Sequence, residues 1–321
     1  MLRESTAMTS PQVPLRLGTR ASPLAQWQAD WVTARLEAPG AAVERVLIAT
    51  SGDRNRTDSI ANVGTVGAFT KEIQRALLDR RIDVAVHSIK DLPTEPTPGL
   101  ILAAIPERGL CGDVLVTLDG RTLAELPIGA RVGTGSLRRR AHLWHVRPDL
   151  TMEDIRGNVD TRLRKLQEGQ YHALVLAEAG LARLGLAEGM TRPIDFATLL
   201  PAVGQGALGV ETRADEDATA NPALAAVAHL DHRATKCCVL AEREMLAALC
   251  AGCLAPVGGS ARVAGDGTLV LAASVLSFDG RQKLTAEVSG QLEDYAMLGK
   301  RAAAELIGQG ADALIREARE R

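Results

Sequence analysis

The sequence predicts an α/β protein: two similar lobes around a cleft, followed by a small α+β domain with an antiparallel sheet. Three observations carry this expectation. Apolar strand-like runs alternate with helix-period segments through the first two thirds of the chain. That alternation occurs twice, and a Pro/Gly-rich stretch around Pro96–Gly99 and Pro106–Gly109 separates the two sets. From about Asn221 the pattern changes to a long Ala/Leu helix and then short alternating strands. The expected bounds are a disordered leader at 1–13, a discontinuous first lobe at 14–106 and 207–224, a second lobe at 112–200, and a third domain at 229–321.

In the first set, the apolar segment Leu15–Gly18 precedes Ser22-Pro23, a helix start with Ser22 as N-cap and Pro23 in the first turn. The helix that follows places Leu24, Trp27 and Trp31 on one face. VERVLIAT reads as a buried strand, FTKEIQRALLDR as a helix through Phe69, Ile73 and Leu77, and IDVAVHS as a further strand. This alternation predicts a parallel sheet flanked by helices. In the second set, DVLVTL and ARVGT read as strands, SLRRRAHLWHV and TRLRKLQEGQ as helices, and HALVLA as a strand leading into AEAGLARLG. The chain is expected to cross back near LLPAVGQGALGV and rejoin the first sheet. In the third domain, the helix ATKCCVLAEREMLAAL and the turn AGCLAPVGG precede three strands with turns at Gly265-Asp266-Gly267 and Asp279-Gly280, an antiparallel meander closed by one amphipathic helix.

Composition narrows the function. Net charge is −2 and aromatics are 2%, which argues against a nucleic-acid partner. No apolar run approaches the ~18 residues of a membrane span, and the opening MLRESTAMTSPQ lacks an apolar signal core, so the expected location is the cytoplasm. The cysteines Cys111, Cys237, Cys238, Cys250 and Cys253 are odd in number and irregular in spacing, as in reduced thiols. No large apolar stripe calls for a partner, so a monomer is expected.

Four motifs carry candidate chemistry. GTGSLRRRAHL places a glycine-rich turn before a helix capped by Ser136; the helix start and Arg138, Arg139 and Arg140 suit carboxylates, the alternative being a solvated basic face. IRGNVDTRLRKL adds Arg156 and Arg162 to the same lobe. So many like charges on one wall imply an anion with several negative groups. HSIKDLPTE lies where a strand ends, the active edge of such a sheet. There Lys90 and Asp91 offer a cation beside a carboxylate that either steadies a positive charge or forms a loop ion pair, and His87 reads as structural. In LCAGCLAPVGG, Cys250 and Cys253 lack companions at metal spacing, so no metal is expected. The motif does not open a helix after a strand, so a thioredoxin-like reading fails and a single nucleophilic thiol on a Gly-rich loop is the sharper option, with a redox pair as a competing hypothesis.

Together these segments resemble porphobilinogen deaminase, also called hydroxymethylbilane synthase. The matching stretches are LGTRASPLAQWQA, FTKEIQRALL, DVAVHSIKDLPTE, VGTGSLRRRAHL, VRPDL, IRGNVDTRLRKL, LAEAGLARLGL, LPAVGQGALGVE and AGCLAPVGGSA, in the family's order from Leu15 onward. The resemblance implies periplasmic-binding-protein-like lobes and a dipyrromethane cofactor joined by a thioether to Cys253. It implies a transferase that condenses four porphobilinogen molecules and releases four ammonia. It assigns catalysis to Asp91. It assigns substrate or cofactor contacts to Arg20, Ser22, Ser88, Lys90, Thr134, Ser136, Arg138, Arg139, Arg156, Arg162, Ala177 and Gln205, with Phe69 near a mobile loop. Asn62, Val66, Gly112 and Gly135 depart from the family pattern, without touching a residue assigned to catalysis.

Overall fold

A computed structural model describes residues 13–50, 70–214, 221–251 and 255–320. The expected leader to residue 12, the loop with Asn62, Val66 and Phe69, and Cys253 lie outside the described residues.

The first lobe contains β1 (Leu15–Thr19), α1 (Pro23–Glu37), β2 (Val43–Leu47), α2 (Lys71–Leu78), β3 (Val84–Ser88) and β4 (Leu100–Ala104). The second contains β5 (Asp113–Val116), β6 (Arg131–Gly133), α3 (Leu137–Val146), β7 (Thr151–Glu153), α4 (Val159–Gln167), β8 (Ala173–Ala177), α5 (Glu178–Leu184) and β9 (Thr191–Ile194). The chain then returns as β10 (Leu208–Arg213). The two sheets have matching orders, β2-β1-β3-β10-β4 and β7-β6-β8-β5-β9.

Neither sheet is the purely parallel one that the alternation predicts. β10 runs antiparallel to β3 and β4, and β5 antiparallel to β8 and β9. Each reversed strand is the first the chain lays down after crossing from the other lobe, so it enters its sheet from the opposite end. The crossings touch backbone to backbone. Gly206 sits at φ +85, and a Cβ there would lie 2.5 Å from the Leu110 carbonyl oxygen.

The central strands β3 and β8 are apolar throughout because both of their faces are covered. Val84 and Val86 join the core under α1, whereas Ala85 joins the core under α2. Ala173 and Val175 point to one face of β8, Leu174 and Leu176 to the other. One local expectation is corrected. VERVLIAT forms an edge strand rather than a buried one, with Leu47 61% exposed. On α1 the buried positions are Gln28, Ala29, Val32 and Leu36, while Leu24, Trp27 and Trp31 stay half-buried.

After α6 (Pro222–Val227), the third unit comprises α7 (Arg233–Ala248), β11 (Val257–Val263), β12 (Leu269–Leu276), β13 (Lys283–Gly290), α8 (Tyr295–Gly308) and α9 (Ala311–Glu320). The strands form the expected antiparallel meander, with α7 and α8 packed on it through Met245, Leu271, Val288 and Leu306. Two helices rather than one close the chain, because Gly310 at φ +100 breaks the run. Among the described residues, no helix is long and apolar enough to cross a membrane.

Candidate active site

The ends of equivalent strands in the two lobes face one cleft. β3 ends at Ser88 and β8 at Ala177, and both residues line it. Open α/β sheets bind ligands at such strand ends. The helix starts are equivalent too. Ser22 accepts from the Ala25 N–H to cap α1, and Ser136 accepts from the Arg139 N–H to cap α3. The cleft holds ≈ 210 Å³, more than the ~150 Å³ that admits a benzene-sized ring.

Its lining is cationic. Arg20 and Lys90 come from the first lobe, Arg139, Arg162 and Arg183 from the second. Lys90 follows β3 on a single 3₁₀ turn (Ile89–Asp91) anchored by the buried Ile89. Burial pushes its ammonium down to about 8, Asp91 pulls it back up, and Arg139 adds to the depression. Arg162 is pushed down to about 10 by burial and then by Arg139, while its Nε donates to the Gly157 carbonyl at 2.9 Å. Burial makes the charged forms of Lys90 and Arg162 costly, and an anion in the cleft would offset that cost.

The lobes are joined beneath the cleft by a hydrogen-bond chain. Lys90 Nζ donates to Gln205 Oε1 at 3.4 Å. Gln205 Nε2 donates to Asp113 Oδ1 at 3.0 Å and to the Cys111 and Gly112 carbonyls. Asp113 is fully buried and accepts from Arg138 Nη2 and Arg139 Nη2, each at 2.7 Å. Burial alone would raise its carboxyl, but the two guanidiniums outweigh burial and hold it well below the usual carboxylate range. A second buried carboxylate, Glu242 of α7, ties the third unit to both crossings. It accepts from Arg108 Nη2 at 3.1 Å and from the Gly204 and Ala261 N–H groups at 2.7 Å.

The expected site residues divide by position. Arg20, Ser22, Ser88, Lys90, Arg139, Arg162 and Ala177 line the cleft. Gln205 and Arg138 lie behind it, with Arg138 spanning Asp113 and the Leu200 carbonyl. Thr134 is buried, and its Oγ1 accepts from the Ser136 N–H at 3.2 Å, so both shape the turn into α3. Arg156 is half-buried just before α4, and its carbonyl accepts from Lys165 Nζ. Asp91 is exposed beside Lys90. Arg140 turns away to Asp154. No cluster of metal-ligating groups occurs among the described residues.

Sequence reasoning passed over three contributors. Asp113 opens an apolar strand, where a carboxylate needs buried partners, and that was its signal. Arg183 on α5 lines the cleft, donates to the Gly206 carbonyl at 2.7 Å and lies 5.5 Å from the Trp27 ring centre. Gln28, buried on α1, donates to Ser88 Oγ at 2.9 Å and orients that hydroxyl.

The chain matches the porphobilinogen deaminase dipyromethane cofactor binding domain over residues 15–221 and the porphobilinogen deaminase C-terminal domain over residues 236–308. The chain belongs to the porphobilinogen deaminase family. It is 48% identical to porphobilinogen deaminase of Desulforudis audaxviator, over 94% of this chain and 97% of that one. It is 45% identical to that of Moorella thermoacetica, over 95% and 96%. Among solved structures, the periplasmic aliphatic sulphonate binding protein SsuA of Escherichia coli is a distant likeness, with 15% identity, a TM-score of 0.40, and coverage of 74% of this chain and 70% of that one. The family is enzymatic, and the lobes of this chain are its cofactor-binding part.

Proposed function

We propose that this chain condenses four porphobilinogen molecules head to tail, with one water, into hydroxymethylbilane and four ammonia, as a step of tetrapyrrole (haem) biosynthesis. One observation supports this above the others: Arg20, Lys90, Arg139, Arg162 and Arg183 converge on a single cleft, and Asp91 directly follows Lys90 in the chain. Each porphobilinogen carries an acetate and a propionate, so a growing chain gains two carboxylates per ring. A partly desolvated guanidinium or ammonium grips each carboxylate more strongly than an exposed one does.

The residues also fit a dipyrromethane, whose carboxylates match the same cations, with Cys253 as its thioether anchor. When bound, it supplies the free pyrrole α-carbon on which condensation begins. The chain's own groups then do three things. Arg20, Arg139 and Arg162 hold carboxylates and set ring position. Lys90, bonded to Gln205, places a positive charge at the end of β3. The Asp91 carboxylate, adjacent to Lys90, receives pyrrole N–H groups and offsets the positive charge that develops as ammonia departs with the C–N electron pair. Ser22, Ser88, Thr134, Ser136, Arg138, Arg156, Ala177 and Gln205 complete the proposed binding set, with Phe69 at its edge. The same reading divides the chain at 14–106 with 207–224, 112–200 and 229–321, and takes it as a cytoplasmic monomer without nucleic-acid or membrane partners.

Intact-mass measurement of the purified enzyme tests the tether. The expected mass exceeds the bare chain by one dipyrromethane unit, Cys253→Ser loses that increment and ammonia release, and Cys250→Ser keeps both. A bare-mass enzyme that still releases ammonia from porphobilinogen refutes the tether. Anion binding without turnover would mark a binding module, and loss of activity in Cys250→Ser a thiol redox pair.

A further inference from the structure

Asp160 lines the same cleft as the five cations. Among the described residues of that lining it is the acidic one, and a carboxylate there opposes the binding of carboxylates. Nothing among the described residues neutralises it. Arg164, one turn further along α4 and the natural i,i+4 partner, is paired with Glu168 at 3.1 Å. Lys165 donates instead to the Arg156 carbonyl. The buried carboxylates around the site, Asp113 and Glu242, are each saturated by arginine and N–H donors. Asp160 is exposed at the cleft wall, on the lobe opposite Asp91.

Resting on the porphobilinogen reading above, we infer that Asp160 receives the protonated aminomethyl group of each incoming porphobilinogen and thereby orients the leaving group. Porphobilinogen carries one cation among its charges, and the cations of the cleft repel it. A carboxylate on the second lobe draws that end away from Arg139 and Arg162 while they take the acetate and propionate. The monomer's two ends are thus told apart by sign of charge, which fixes head-to-tail order. Asp160 also sits in the first turn of α4, where a negative charge complements the helix dipole. That role stabilises α4 and is blind to the substrate's amine.

Holoenzyme kinetics separate the two roles. The substrates are porphobilinogen and its analogue with a neutral hydroxymethyl in place of the aminomethyl group. Asp160→Asn should raise KM for porphobilinogen about three-fold, the size of an exposed ion pair, without raising KM for the analogue. Asp160→Glu should restore the porphobilinogen value. An equal rise for both substrates, or a fall in KM for porphobilinogen, overturns the assignment, since the first means general damage and the second means Asp160 faces the carboxylates. Thermal melting of Asp160→Asn identifies loss of fold. If the wild-type enzyme releases no ammonia from porphobilinogen, the deaminase reading fails as well. If it does and Asp160→Asn matches it throughout, only the Asp160 role fails.

Discussion

Replacing Asp113 by Asn removes the charge that two buried guanidiniums share. The Asp113 carboxylate has no exposure and accepts from Arg138 Nη2, Arg139 Nη2, Arg139 Nε and Gln205 Nε2 at 2.7, 2.7, 3.1 and 3.0 Å. Arg138 is itself 5% exposed and Arg139 7%, so neither turns to water without moving α3. Breaking a buried pair costs ~3–5 kcal/mol because an uncompensated charge is left behind. The amide keeps one acceptor oxygen, which places the expected loss near the lower end, about 3 kcal/mol. At the ~2–4 °C per kcal/mol of a 150–250-residue unit, the melting temperature falls by about 6–12 °C. Asp119→Asn, which breaks the half-exposed Arg121 pair, serves as the control and should cost under about 1 kcal/mol. Adding Arg138→Met to Asp113→Asn removes one stranded cation, so the double variant should regain about 1 kcal/mol or more. The carboxyl of Asp113 is held below its unfolded value, so its stabilisation is complete above the unfolded pKa of ~3.9 and fades as pH falls below it. Parent and variant stabilities should therefore converge on acidification. If Asp113→Asn melts within about a degree of the parent at pH 7, the ion-pair hub does not hold the lobe together.

Lys90 is pushed down to about 8, so its grip on carboxylate should weaken and KM rise as pH climbs through 8, and Lys90→Arg should move that limb to higher pH. Lys90→Met should raise KM roughly ten-fold at pH 7, the weight of one charge-assisted contact. Folding favours the neutral amine, so Lys90 costs stability below pH 8 and the cost disappears by the unfolded value of 10.5. Urea titrations should accordingly find Lys90→Met more stable than the parent at pH 7 and no longer so at pH 10.5. His142 joins α3 to β12, with Nδ1 2.9 Å from the Arg138 carbonyl and Nε2 3.0 Å from Ser274 Oγ. Burial, then Arg138, push it down to about 3, so the unfolded chain takes up a proton below 6.5 that the folded one refuses. Stability should fall between pH 6.5 and 3 by up to ~1.4 kcal/mol per unit from this group, and urea unfolding of His142→Gln should show a shallower slope there.

Local features were legible from the chain itself. The caps Ser22 and Ser136 stand where Ser-Pro and Gly-Ser precede helix-period segments, because an N-cap acts on N–H groups two or three residues away. Strands β3 and β8 could be read from unbroken apolar runs, and the meander of the third unit from its Gly-Asp turns. The short strands β4, β7 and β9 escaped, since three to five residues carry little periodicity. The clustering of arginines was also legible, as charge is a property of composition and motif.

What tertiary structure alone decided is where each charge goes. Arg138, Arg139 and Arg140 are consecutive, yet the ~100° step of a helix sends them to three environments: the interior, the cleft wall, and the outer surface with Asp154. Asp113 reaches Arg138 across 25 residues and Gln205 across 92, distances over which no sequence period operates. The reversal of β5 and β10 likewise depends on the chain crossing between lobes, a direction that no local pattern encodes. Sequence by itself determined that arginines cluster in the motifs of the second lobe, from which a many-charged anion is expected. The packing of two lobes and a third unit determined which arginines line the cleft and which are paired with buried carboxylates behind it, because burial makes every unpaired charge costly and only the folded chain says which charges are buried.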